Sequence, residues 1–130
     1  MDQNDDGGEN VFSLPNPEEL ICAIDSYYSS HLAMRIQISH PHNGDKYSLG
    51  FLMVRYFSGP TRWMGANFHI CPWEEAARLY LELREYKDLD LAPETLQEIS
   101  EKHFHLYAVS SLNPKMEIRI FAGSGGLVTE

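Results

Sequence analysis

The stretch Arg62–Tyr86, RWMGANFHICPWEEAARLYLELREY, runs a short alternating segment straight into the strongest helical pattern in the chain. Pro72 suits the first helical position, where a missing N–H costs nothing. Glu74 and Glu75 place negative charge in the first turn, where the helix dipole favours it. At 100° per residue, Trp73, Ala76, Ala77, Leu79, Tyr80, Leu81 and Leu83 fill one arc. Glu74, Glu75, Arg78, Glu82 and Glu85 fill the other, and only Arg84 intrudes on the apolar side. So lopsided a helix must lie on something. The strand that feeds it belongs to the obvious surface, with Ala76, Tyr80 and Leu83 expected against it.

Working outward, the N-terminal side carries Asn16-Pro17-Glu18-Glu19, a helix-start pattern, followed by Leu20, Ile21, Ile24, Tyr27 and Tyr28 at helical spacing. A first helix reaching about Ser30 is expected, with both tyrosines in the core. Three strands then follow. Met34–Ser39 alternates and reads as half-buried, whereas Tyr47–Phe57 is apolar on both faces and reads as a central strand covered on both sides, or a strand with an aromatic exposed face. The segment from Trp63 to Cys71 puts Met64, Ala66, Phe68 and Ile70 on one side. Beyond the main helix, Lys87–Ala92 is a linker and Pro93 starts a short third helix. Phe104–Ser110 and Met116–Phe121 pair as a hairpin around Asn113-Pro114. The class is therefore α+β, an antiparallel sheet of three strands plus a C-terminal hairpin, packed against an N-terminal helix and a central amphipathic helix. Residues 1–10 read as a disordered acidic tail, 11–122 as one domain and 123–130 as a flexible C-terminal tail.

The chain has 130 residues, so one domain is the natural expectation. No apolar run approaches the length a membrane span needs, and no signal peptide is evident. Two cysteines make no disulfide framework, so free thiols and a cytoplasmic setting, or the interior of a host cell, are expected. The formal charge of −9 is unevenly spread: His31–Trp73 holds four basic residues and one acid, the remainder six basic residues and eighteen acids. A mildly basic middle between acidic flanks is a charge asymmetry of the kind a binding face shows.

No catalytic signature is present, and no cofactor is called for. Cys71 stands at a helix N-terminus with His69 nearby, but a small buried hydrophobe at a strand–helix junction explains it better. His40 and His42, and His103 and His105, have strand spacing without the partner pairs of a zinc site, so no metal is expected. One constellation does point to binding: Arg35, Arg55 and Arg62 interleave with Tyr47, Phe57 and Trp63, accompanied by Asn67 and His69. Guanidinium groups on phosphates and rings on unpaired bases are what single-stranded nucleic acid requires. The competing reading is that these rings fill a core between sheet and helices.

The run MRIQIS, GFLMVRYF and WMGANFHICPWEEAARLYLEL, about residues 34–86, resembles the single-stranded-DNA-binding domain of the eukaryotic positive-cofactor coactivators and their bacterial relatives. Arg55-Tyr56-Phe57 would stand for that family's Arg-aromatic segment, and Met64-Gly65 through Ile70 for its strand entering the helix. The family's lysine-rich run is reduced here to Arg62. The resemblance implies a homodimer formed through the helix, with unpaired DNA on the sheet. The expectation is thus a non-enzymatic module binding single-stranded nucleic acid. The alternative is an acidic protein-binding adaptor or chaperone-like module.

Overall fold

The segment expected to form the first helix is a strand. In the computed structural model, which describes residues 11–28, 32–83 and 93–128, helical geometry lasts only for the 3-10 turn Pro17–Glu19. Asn16 there is left-handed and makes no side-chain cap. Strand β1, Ile21–Tyr28, follows at once. Its register against β2, Ala33–Ser39, skips Asp25 between Ile24 and Ser26. That bulge sets inward positions at Cys22, Ile24 and Tyr27, and the step of three imitates a helical face. β-branched and aromatic residues fit the pleated surface, and Tyr27 and Tyr28, expected in the core, are 48% and 59% exposed.

The second difference is a change of sheet. The run expected as one central strand breaks after β3, Lys46–Leu52, at Met53 with φ 57°. It resumes as β4, Tyr56–Ser58, in another sheet. Val54 donates its N–H to Leu32 O and Arg55 donates to Phe121 O, so the link is tied to both sides. The next run divides likewise, into β5, Arg62–Met64, and β6, His69–Ile70. Gly65 turns the corner with φ 121°, where a Cβ would lie 2.7 Å from Ser110 O. The first run looks apolar on two faces because it passes from one sheet to the other rather than spanning one sheet.

After the helix α1, Trp73–Leu83, come α2, Pro93–Glu98, a π-helical turn Ile99–His103, and the hairpin β7, His105–Leu112, with β8, Lys115–Ala122. The glycine-rich stretch expected to be a tail forms β9, Ser124–Leu127, paired with β3. The expected three-strand sheet with an N-terminal helix is therefore replaced by two antiparallel sheets, ordered β5-β1-β2-β3-β9 and β4-β8-β7-β6. Helices are present, but strands dominate. The segments 1–10, 29–31, 84–92 and 129–130, which include the expected acidic tail, the expected end of a first helix near Ser30, the helix end at Tyr86 and the linker Lys87–Ala92, lie outside the described residues.

The main core includes Cys22, Ile36, Ile38, Leu49, Phe51 and Trp63 from the five-stranded sheet and Val109, Ile118 and Ile120 from the other. Phe12 joins it, its ring 5.4–5.9 Å from those of Phe51, Phe68 and Tyr107. A second cluster lies on the far side of the four-stranded sheet, where Ala76 meets Cys71, Leu106, Ala108 and Phe121, with Leu79 and Tyr80 half-buried. Helix α1 thus packs on the sheet that contains its feeding strand. Its small residues Ala76 and Ala77 are the buried ones, and Leu83, expected inside, is 41% exposed. Arg119 Nη2 reaches Glu75 Oε1 at 3.4 Å, linking β8 to the first turn of the helix.

Candidate functional site

The helices cover the four-stranded sheet, which leaves the outer face of the five-stranded sheet as the open surface among the described residues. Which side chains stand on it follows from the register, because paired residues share a face. Cys22, Ile38 and Trp63 point inward with their row. The neighbouring rows point outward: Arg62, Ala23, Gln37 and Ser48 in one, Ser26, Arg35, Gly50 and Gly126 in the next. Lys46 stands outward opposite Ser39, and Tyr28 opposite Ala33. No paired outward position holds a carboxylate. In a chain of formal charge −9, this face presents three cations at its paired positions and the exposed carboxylate of Asp25 at the bulge beside Ser26. Strand geometry separates the Cα atoms of the cations by roughly 12–16 Å, far enough to meet different phosphates.

The eight residues expected to form a nucleic-acid surface are not brought together. Arg35 and Arg62 do share the outer face, half-buried and exposed respectively. Trp63 is 1% exposed and donates Nε1–H to Gly65 O at 2.9 Å in the core, so its ring faces are not available for stacking. Tyr47 is paired with Ile38 on the inward side, and Phe57 packs against the core with its ring 6.5 Å from that of Trp63. Arg55 is in the link to β4, its guanidinium 5.5 Å from the Phe104 ring centre. Asn67 is half-buried between β5 and β6, and His69 is on β6 opposite Ala108. Their alternation is real, but crossing between sheets sends it to different surfaces.

Sequence pattern does not single out Lys46, Tyr28, Gly50 and Gly126. Lys46 closes an ordinary turn sequence, Tyr28 reads as helical core, and the glycines carry no chemistry of their own. Pairing with β9 sets Gly126 beside Gly50, whereas Tyr28 and Lys46 stand at opposite ends of the face. A cavity of about 450 Å³ opens at the Tyr28 end of the face, bounded by Tyr28, Arg35, Leu52 and Val128. Of its lining, Tyr28, Leu52 and Leu127 are 49–59% exposed.

Nothing in the comparisons adds a relative: no family model, curated protein or solved structure matches the chain. The arrangement implied by the resemblance for residues 34–86, one sheet entering one helix, is not the arrangement found, since these strands divide between two sheets.

The thiols are poorly placed for chemistry. Burial pushes the Cys71 thiol up, and the Glu75 carboxylate adds to the effect, outweighing Arg119. A nucleophile would need the opposite shift. Cys22 is fully buried and pushed up to about 12. His40 holds its own turn together, since its Nδ1 accepts the His42 and Asn43 N–H groups and its Nε2 lies 2.8 Å from Glu19 Oε1. Among the described residues no three His, Cys, Asp or Glu side chains converge as metal ligands, and no helix is long and apolar enough to cross a membrane.

Proposed function

We propose that this protein is a non-enzymatic binding module that receives single-stranded nucleic acid on the open face of its five-stranded sheet. The observation that carries the reading is the charge of that face: Arg35, Lys46 and Arg62 stand on it at paired positions, against the bulge carboxylate of Asp25. Cations fix the strand by its phosphates, and exposed Tyr28 supplies a ring for a base. Trp63 and Tyr47 have no contact role in this reading; they hold the sheets together.

A labelled oligothymidylate should bind in low salt and dissociate as salt rises. Three contacts on a single strand give a log–log slope near −2, and each of Arg35→Gln, Lys46→Gln and Arg62→Gln should flatten it by about 0.7. Absence of binding at low salt refutes the reading. A protein-binding role is favoured by a separate observation, the exposed apolar lining of the cavity at Tyr28, Leu52 and Leu127. Tyrosine, methionine and arginine are enriched in protein interfaces. Such a partner would bind with little dependence on salt.

A further inference from the structure

We infer that the cavity beside β9 is a pocket for one nucleotide unit of the strand, with the phosphate at Arg35 and the base in the space that Tyr28, Leu52 and Gly126 border. This rests on the nucleic-acid reading and assigns it a subsite. The cavity measures about 450 Å³, within the range of small-ligand sites. None of the residues that line it is acidic, although the chain has nineteen acids, and Arg35 is its single charge. Arg35 is half-buried and has no ion pair among the described residues, so an anion can take its guanidinium without displacing a protein carboxylate.

The floor suits a flat group. Gly50 and Gly126 are paired across β3 and β9, and Arg35 pairs with Gly50 on the other side. The Val128 side chain leans over Gly50, where a Cβ would meet its Cγ2 at 2.9 Å, and so forms a wall. Above Gly126 nothing lies within 4 Å of a Cβ position, so the space is open. Its neighbour Gly125 is different, because a Cβ there would press into the Phe51 ring at 2.6 Å. One glycine of the pair is required by packing, and the other leaves room. Tyr28 and Leu52, 59% and 56% exposed, line the same cavity with apolar surface that a base would cover.

The test uses the full chain, labelled oligothymidylate, thymidine monophosphate and an abasic oligomer of equal length. Gly126→Leu fills the open space without touching the cations. The expected result is a loss of at least tenfold in oligothymidylate affinity, with an unchanged salt slope and an unchanged thermal midpoint. Tyr28→Ala, at an exposed position, should act in the same direction if Gly126→Leu perturbs the fold. Thymidine monophosphate should compete weakly with the wild type and not at all for Arg35→Gln, while Arg62→Gln should leave that competition intact. The abasic oligomer should bind at least tenfold more weakly than oligothymidylate. Wild-type affinity in both Gly126→Leu and Tyr28→Ala, with weaker binding in Lys46→Gln and Arg62→Gln, overturns the pocket and leaves the face reading standing. No oligonucleotide binding by the wild type removes both, and capture of a protein partner that Gly126→Leu abolishes reassigns the cavity to a peptide.

Discussion

Replacing Trp63 by alanine should unfold the protein more readily rather than weaken a surface contact. The ring is 1% exposed, lies inward on β5 opposite Cys22, and stands near Phe57. Deleting a buried tryptophan costs about 3–5 kcal/mol, as lost transfer energy plus the cavity left behind. Trp63→Phe separates the two components, because it keeps much of the volume and removes the Nε1–H donor to Gly65 O. That carbonyl would retain only the Cys22 thiol at 3.5 Å, a weak donor, so a cost of about 1–2 kcal/mol is expected. An unfolding entropy of about 2.1 cal/mol/K per residue over 130 residues makes each kcal/mol worth nearly 4 °C. The alanine variant should therefore melt about 10–20 °C lower, and the phenylalanine variant about 4–8 °C lower. Calorimetry with urea titration measures both. A Trp63→Ala midpoint within about 2 °C of wild type would refute the inward assignment and restore the ring to the surface.

Gly125→Ala should destabilise by about 1–3 kcal/mol through its clash with Phe51, whereas Gly126→Ala should be nearly neutral; matched urea titrations compare them. On α1, Leu83→Asp should cost about 1 kcal/mol or less because Leu83 is 41% exposed, and Ala76→Asp should cost several because it buries an unpaired charge. Alkali should destabilise the fold through Cys22. Its thiol pKa rises from 9.0 to about 12 on folding, so the folded state holds the proton longer. That contribution is complete below pH 9 and is lost as pH rises toward 12, at about 1.4 kcal/mol per pH unit. The corresponding fall should be missing from the pH–stability curve of Cys22→Ala; identical curves for the two proteins would contradict it. Oligothymidylate binding should show the shallow salt slope near −2 that three cations imply, measured by fluorescence anisotropy.

Local signals are legible in the sequence where one short element satisfies them. Pro72 with the two glutamates starts α1, Asn113-Pro114 joins the last two long strands, and Ile36 and Ile38 face the core from β2. They mislead where one element's pattern depends on another. The bulge at Asp25 gives a strand the spacing of a helix, and no property of residues 20–28 alone reveals that β2 and β5 flank it. Gly123–Leu127 has almost no side-chain signal, because its place in the sheet is held by backbone pairing to β3.

The candidate site divides in the same way. Sequence alone determined that cations cluster between residues 31 and 73 while acids dominate the flanks, since charge belongs to residues and is counted without geometry. It also determined that the chain holds enough apolar and aromatic side chains to fill a core. Only the tertiary structure decided which cations share a surface and which rings are hidden. An alternating run states that successive side chains point opposite ways, but not which way is inward, nor whether the chain stays in one sheet. At Met53 and Gly65 it does not: positive φ turns the backbone across the core. Arg55 and His69 thereby leave the face that Arg35 and Arg62 keep, and Trp63 goes inside.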